Sequence, residues 1–153
     1  MRVLVDTSVW SEALRRASQS ESKVVQELRS LIAEDRVEMI GPIRQEVLSG
    51  LKEDSQFEKL ERHLAAFPDL RLENDDYVVA AKFFNACRTK GIQGSNTDFL
   101  ICAVAVRRQL AIFTTDKDFA RFTKQLPIVL HDTDWQGTVP VGRPRSRVDR
   151  RVG

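Results

Sequence analysis

The chain has 153 residues, 42% of them apolar and 30% charged, with a net charge of +2. That length suits one domain with a substantial core, and the composition is that of a soluble globular protein. No apolar run approaches the roughly 20 residues of a membrane-spanning helix, and no basic-then-apolar leader precedes the first apolar run, so the expected location is cytoplasmic.

Val3, Leu4 and Val5 form a short unbroken apolar run, the pattern of a strand buried on both faces. Asp6 ends it, followed by Thr7 and Ser8. Ser20 or Ser22 then caps a helix whose Val24, Val25, Leu28, Leu31 and Ile32 lie on one face of a 3.6-residue period. Residues 37–40 read as a second strand, broken by Gly41-Pro42. Pro42 suits the first turn of a helix carrying Ile43, Val47 and Leu48, which stops at Gly50.

Phe57, Leu60, Leu64 and Ala65 mark another amphipathic helix, ending near Pro68, and residues 70–72 suggest a short strand. Asn74 or Asp75 caps the next helix, with Tyr77, Val78, Ala81 and Phe84 facing the core; its aromatics Tyr77, Phe83 and Phe84 are expected to serve the core or a subunit interface. After the Lys90-Gly91 stop, Ser95 or Asn96 caps the unbroken apolar run 99–106, which reads as a helix buried on most sides. Residues 111–113 form a strand, 118–123 a short helix, and 127–130 an outer strand. Helices alternating with strands predict an α/β fold with a mainly parallel sheet.

Cys87 and Cys102 fall in helical patterns without metal-ligand spacing and are expected as free thiols; His63 and His131 are isolated and make no zinc site. Trp10 and Trp135 read as packing residues. Residues 137–153 hold Pro140, Gly142, Pro144 and five arginines against one aspartate, leaving a mildly acidic body at 1–136 and a basic arm expected to be extended or disordered.

Four carboxylates fall where strands end or the following helices begin. Asp6 follows the first strand, Glu46 lies one turn into the helix after the second, Asp98 is in the first turn of the buried helix, and Asp116 follows strand 111–113. In a parallel sheet these positions share the edge that holds ligands, which brings Asp6, Glu46 and Asp116 together by topology. Crowded carboxylates repel unless a cation joins them, and an all-oxygen donor set favours Mg²⁺ or Mn²⁺ over Zn²⁺. Thr7, Ser8, Thr114 and Thr115 supply hydroxyls that can orient those acids. Asp118 is either a fifth acidic ligand or the cap of the next helix. Arg15, Arg44 and Lys117 lie near these motifs, where surface ion pairing competes with phosphate contact as their role.

These motifs resemble the PIN-domain ribonucleases, and among them the VapC-type toxins of bacterial toxin–antitoxin pairs. The resemblance rests on Val-Leu-Val-Asp-Thr-Ser at 3–8, Glu-Val-Leu-Ser-Gly at 46–50, Thr-Asp-Phe-Leu-Ile-Cys-Ala at 97–103 and Thr-Thr-Asp-Lys-Asp-Phe at 114–119. It implies a three-layer fold, a parallel sheet flanked by helices on both faces, over residues 1–136. It also places Asp98 with Asp6, Glu46 and Asp116 as a metal-binding acidic set, supported by Thr7, Ser8 and Asp118. The implied activity is Mg²⁺-dependent hydrolysis of RNA phosphodiesters in tRNA, rRNA or mRNA. The implied partners are a VapB-like antitoxin and a second copy of the chain. The arm at 137–153 is outside the resemblance. It can track an RNA backbone, solubilise the chain or reach a neighbouring subunit.

Other readings are an RNA-processing PIN nuclease that is no toxin, a catalytically idle PIN-like module, and an Asp-based phosphotransfer module. The haloacid-type phosphatase pattern needs a second Asp two residues after Asp6, where this chain has Ser8, and a receiver domain needs an adjacent acidic pair absent from the N-terminus.

Overall fold

The computed structural model describes residues 1–15 and 22–132; Ser20, Trp135 and the basic arm lie outside them. The elements run β1 (Val3–Val5), α1 (Thr7–Arg15), α2 (Lys23–Ala33), β2 (Val37–Glu38), α3 (Gly41–Ser49) and α4 (Asp54–Leu64). Then follow α5 (Asn74–Thr89), α6 (Asn96–Arg108), β3 (Ala111–Phe113), α7 (Asp118–Phe122) and β4 (Val129–Leu130).

The four strands form one sheet in the order β2-β1-β3-β4, with every pairing parallel. In the β1–β3 register Val3 faces Ala111, Leu4 faces Ile112 and Val5 faces Phe113. Successive strand side chains point to opposite faces, yet Val3, Leu4, Val5, Ile112 and Phe113 are all fully buried, so the sheet is covered on both sides. Parallel β1 and β3 start and end together, and therefore deliver Asp6 and Thr114 side by side.

α6 supplies the largest share of the core: Phe99 to Ala105 are all buried. Its start is a capping box in which Ser95 and Asp98 exchange hydrogen bonds, and Gln109 closes it in the left-handed region at φ 57°. Gly94, just before the cap, has no room for a side chain. A Cβ there would stand 2.6 Å from the Phe122 ring and 3.0 Å from that of Phe99.

Several expectations from sequence need correction. α1 was not anticipated; it starts directly from Asp6, whose carbonyl accepts the Val9 and Trp10 amides at 3.1 and 3.4 Å. The segment 70–72 is not a strand: its contact with the sheet is one bridge, Met39 to Asp69, with Leu70 N–H donating to the Met39 carbonyl at 2.8 Å. The second and last strands are two residues each rather than four. The cap of α5 is Glu73, one residue before Asn74, while Ser22 and Ser95 cap α2 and α6.

The larger error concerns the face of α5. Tyr77 and Val78 are half exposed and Ala81 is exposed, whereas Asp76, Ala80, Phe83 and Cys87 turn inward. Those inward positions keep helical spacing, but a charged residue leads them, and an apolar count skips it. Asp76 is buried because Arg107 and Arg108 reach it at 2.7 and 2.6 Å. This pins the start of α5 to the end of α6.

Candidate metal centre

Asp6 is nearly buried at the carboxyl end of β1, its amide donating to the Phe113 carbonyl at 2.8 Å. Its Oδ2 accepts two hydroxyls, Ser8 Oγ and Thr114 Oγ1, each at 2.8 Å. Ser8 Oγ in turn accepts the Thr115 amide at 3.0 Å, and Thr114 Oγ1 accepts the Asp116 amide at 3.0 Å. The loops after β1 and β3 are thus laced together by hydroxyls around one carboxylate.

Asp116 Oδ1 accepts the Asp118 amide at 2.9 Å, and the Asp116 carbonyl accepts that of Phe119 at 3.2 Å. Asp116 is therefore tied to the start of α7. Asp118 pairs with Arg121 at 3.3 Å in an exposed position, the geometry of an acid in a first helical turn.

Glu46 is exposed on α3, one turn after Pro42, and its Oε1 accepts Thr7 Oγ1 at 2.7 Å. Thr7 follows Asp6 directly, so this bond links the β2–α3 crossover to the end of β1. Asp98 reaches the same region from the first turn of α6. Its Oδ2 accepts the Ser95 amide at 3.0 Å while its own amide donates to Ser95 Oγ at 3.0 Å. Ser95 was expected only as a cap; the Ser-x-x-Asp spacing also fixes the orientation of the Asp98 carboxylate.

Burial raises the Asp98 pKa, partly offset by hydrogen bonds from Ser95, and the charges of Asp116 and Asp6 push it further up. Cys102, one turn along α6, is raised by burial and then by the charges of Asp98, Cys87 and Asp6. Asp6 and Asp116 therefore both lie within electrostatic reach of Asp98, and Glu46 is tied to the end of β1 through Thr7. Among the described residues, no three His, Cys, Asp or Glu side chains are grouped as placed so as to hold one ion. Asp6 and Glu46 are instead turned onto hydroxyls.

Arg44 is spoken for: it pairs with Asp69 at 2.9 Å and donates to the Leu64 carbonyl at 3.0 Å and to the Phe67 carbonyl. Lys117, between Asp116 and Asp118, is exposed; its carbonyl accepts the Ala120 amide at 3.1 Å, and its side chain makes no hydrogen bond or ion pair among the described residues. No helix among the described residues is long and apolar enough to cross a membrane.

The PIN domain family profile matches residues 3–125. Over 121 residues the chain is 37% identical to a VapC ribonuclease of Mycobacterium bovis and to ribonuclease VapC11 of Mycobacterium tuberculosis, covering 76% of this chain and 88% of each relative. Among solved structures, FitAcB of Neisseria gonorrhoeae aligns with a TM-score of 0.69 at 26% identity, over 88% of this chain and 99% of that one. VapBC2 of Rickettsia felis, bound to a DNA fragment from its promoter, aligns at 0.68 and 18% identity, over 86% and 98%. The parallel sheet, the acids gathered at its carboxyl edge and a profile match spanning nearly all the described residues lead to one assignment: the chain belongs to the PIN-domain family, and VapC-type ribonucleases are among its relatives.

Proposed function

We propose that this protein is a Mg²⁺-dependent endoribonuclease, with Mn²⁺ as an alternative ion, and the toxin of a VapBC-type toxin–antitoxin pair. The observation that supports it best is the joining of Asp6 and Asp116 through Thr114 at the carboxyl ends of two paired strands, with both charges acting on Asp98 and Glu46 tied in through Thr7. Isolated caps and loop charges have no reason to be arranged so. Hard oxygen donors, with Asp98 facing two like charges, fit a hard divalent cation, which would offset that repulsion.

Asp6, Glu46, Asp98 and Asp116 would hold the ion or ions. When bound, such an ion acidifies water and neutralises phosphoryl charge. Ser8 and Thr114 hold Asp6 in orientation, Thr7 holds Glu46, and Ser95 holds Asp98. One of the carboxylates accepts the proton of the attacking water. Lys117 would meet a phosphate of the polyanionic strand, and Asp118, whose amide donates to Asp116, would support the loop that carries Asp116. Without a cation the same edge repels RNA.

The relatives named VapC ribonuclease and the toxin–antitoxin complexes among the structural neighbours support a VapB-like antitoxin as protein partner. A homodimer and a cytoplasmic location belong to the same reading, with residues 1–136 as the nuclease domain and 137–153 as a basic arm.

The test is cleavage of total RNA by purified protein. Activity is expected with Mg²⁺ or Mn²⁺, lost with EDTA and lost in Asp6→Ala and Asp98→Ala. Equal cleavage by both variants would reveal a contaminating nuclease. Growth arrest on expression, relieved by the product of the neighbouring gene, tests the toxin role; an active enzyme without toxicity would make this an RNA-processing PIN nuclease.

A further inference from the structure

β4 runs parallel to β3, and Ile112 faces Leu130 in their register, so the chain leaves the sheet at the edge where Asp6 and Asp116 emerge. His131 marks that exit. Its amide donates to the Ile112 carbonyl at 2.7 Å, its ring stands edge-on to Phe113 with centroids 5.3 Å apart, and its Nε2 meets Glu27 of α2. Phe113 in turn accepts the Asp6 amide at 2.8 Å through its carbonyl. With neighbouring strands about 4.8 Å apart, the exit lies roughly 10 Å from the end of β1.

The sequence beyond the exit is basic. Residues 137–153 carry five arginines against Asp149, a net +4; since the whole chain has +2, residues 1–136 stand at −2. Arg143, Arg145 and Arg147 occupy alternate positions, which share one face along an extended chain. From Asp132 to Arg143 is 11 residues, a reach of up to roughly 40 Å. The family profile ends at residue 125, so this charge is no part of the sequence shared by PIN domains.

The acidic edge needs positive charge from elsewhere if it is to hold a polyanion. Two arginines close to the acids in sequence are committed, Arg44 to Asp69 at 2.9 Å and Arg121 to Asp118 at 3.3 Å. A cation held by the acids serves the phosphate at the cut, and the phosphates on either side require counter-charge of their own.

We propose that residues 137–153 are a substrate clamp: rooted at His131 beside the acidic edge, the arm lays its arginines along the RNA phosphates that flank the cut. This clamp rests on the ribonuclease reading and adds to it an RNA-binding surface outside the PIN domain. Its contacts are electrostatic and indifferent to base sequence, so it sets affinity and not the choice of site.

The test compares three full-length proteins: wild type, a variant with Arg143, Arg145, Arg147, Arg150 and Arg151 all changed to Gln, and one with all five changed to Lys. Binding of a 2′-O-methyl oligonucleotide spanning a site the enzyme cuts is followed by fluorescence polarisation in Mg²⁺ over a series of KCl concentrations. The slope of log affinity against log salt should be shallower by roughly 3 in the Gln variant, about 0.7 for each phosphate released. At low salt that variant should bind at least roughly ten-fold more weakly and show a similarly raised KM, with kcat little changed. The Lys variant should retain the wild-type slope. A benzophenone on Ser146→Cys should crosslink nucleotides flanking the cut, since Cys87 and Cys102 are fully buried.

Equal slopes and equal KM in the wild type and the Gln variant overturn the clamp and leave the nuclease reading intact. A higher kcat/KM in the Gln variant means that the arm occupies the acids itself, and overturns it too. So do crosslinks spread evenly along the strand, or made to a second copy of the chain instead of to RNA. A wild type that binds RNA with the steeper slope but cleaves none in Mg²⁺ or Mn²⁺ defeats the nuclease reading and keeps the arm as an RNA-binding surface.

Discussion

Thr114 donates its hydroxyl to Asp6 at 2.8 Å, a bond between residues 108 positions apart that exists because β1 and β3 run parallel in register. The same oxygen accepts the Asp116 amide at 3.0 Å, so one threonine orients the acids of both central strands.

Thr114→Val keeps the shape and removes both bonds. The Asp6 carboxylate would retain only Ser8, and the Asp116 amide would lose its acceptor. The expected cost is about 1–3 kcal/mol of stability. Loss of this support should also raise the Mg²⁺ concentration needed for half-maximal cleavage by roughly 10–100-fold. Urea unfolding and a Mg²⁺ titration of cleavage measure the two effects. An unchanged Mg²⁺ requirement would remove Thr114 from the site.

Asp98→Asn should make the metal-free protein more stable and the metal-loaded protein less so. Asp98 stands in a desolvated position facing the charges of Asp116 and Asp6, and an amide there relieves the repulsion while still accepting the Ser95 amide bond. If the wild type binds Mg²⁺ as proposed, the ion at a hundred times its Kd should stabilise it by roughly 2.7 kcal/mol. The variant should lose most of that gain. Thermal unfolding with EDTA and with Mg²⁺ gives all four values, and a variant less stable than wild type in EDTA would contradict the crowding of these acids.

The thiols should be inert in the folded state. Cys87 and Cys102 are fully buried, and burial pushes both pKa values up, with the Asp98 charge adding to the effect at Cys102. A thiol that stays protonated and inaccessible reacts only through opening of the fold. A disulfide-exchange reagent should titrate neither thiol in native buffer and both in guanidinium. Rapid native labelling of either would show that α5 and α6 separate locally.

Where the candidate residues sit in the fold was largely legible because that placement is topological. A strand such as 3–5, apolar on both faces and cut by an acid, fixes both its depth in the sheet and the edge at which Asp6 emerges. The buried run 99–106 was equally plain, since only a core helix can hide it all. What escaped was set by long-range polar contacts. Tyr77 and Val78 read as inward-facing because nothing local says that Asp76, just before the apolar run 77–81, will be claimed by Arg107 and Arg108, 31 and 32 residues away. Likewise α1 is hidden because Asp6 ends the strand and starts the helix at once, with no loop between them to mark the boundary.

The Asp76 cluster should also set the acid limit of the fold. Burial alone would raise the Asp76 pKa, but hydrogen bonds from Arg108, from the Glu73 amide at 2.7 Å and from Arg107 outweigh it and hold the carboxyl well below the usual carboxylate range. An acid with a depressed folded pKa binds its proton more readily when unfolded. Its stabilisation is therefore complete above the unfolded value of about 3.9 and is lost as pH falls through the lower folded value. Asp76→Asn leaves Arg107 and Arg108 without their shared anion and should cost about 3 kcal/mol at neutral pH, the scale of a broken buried pair. Because the variant has no proton to gain there, its stability should fall less steeply than the wild type's below pH 4. Urea unfolding at a series of pH values compares the two slopes, and parallel curves would mean that Asp76 does not govern the acid transition.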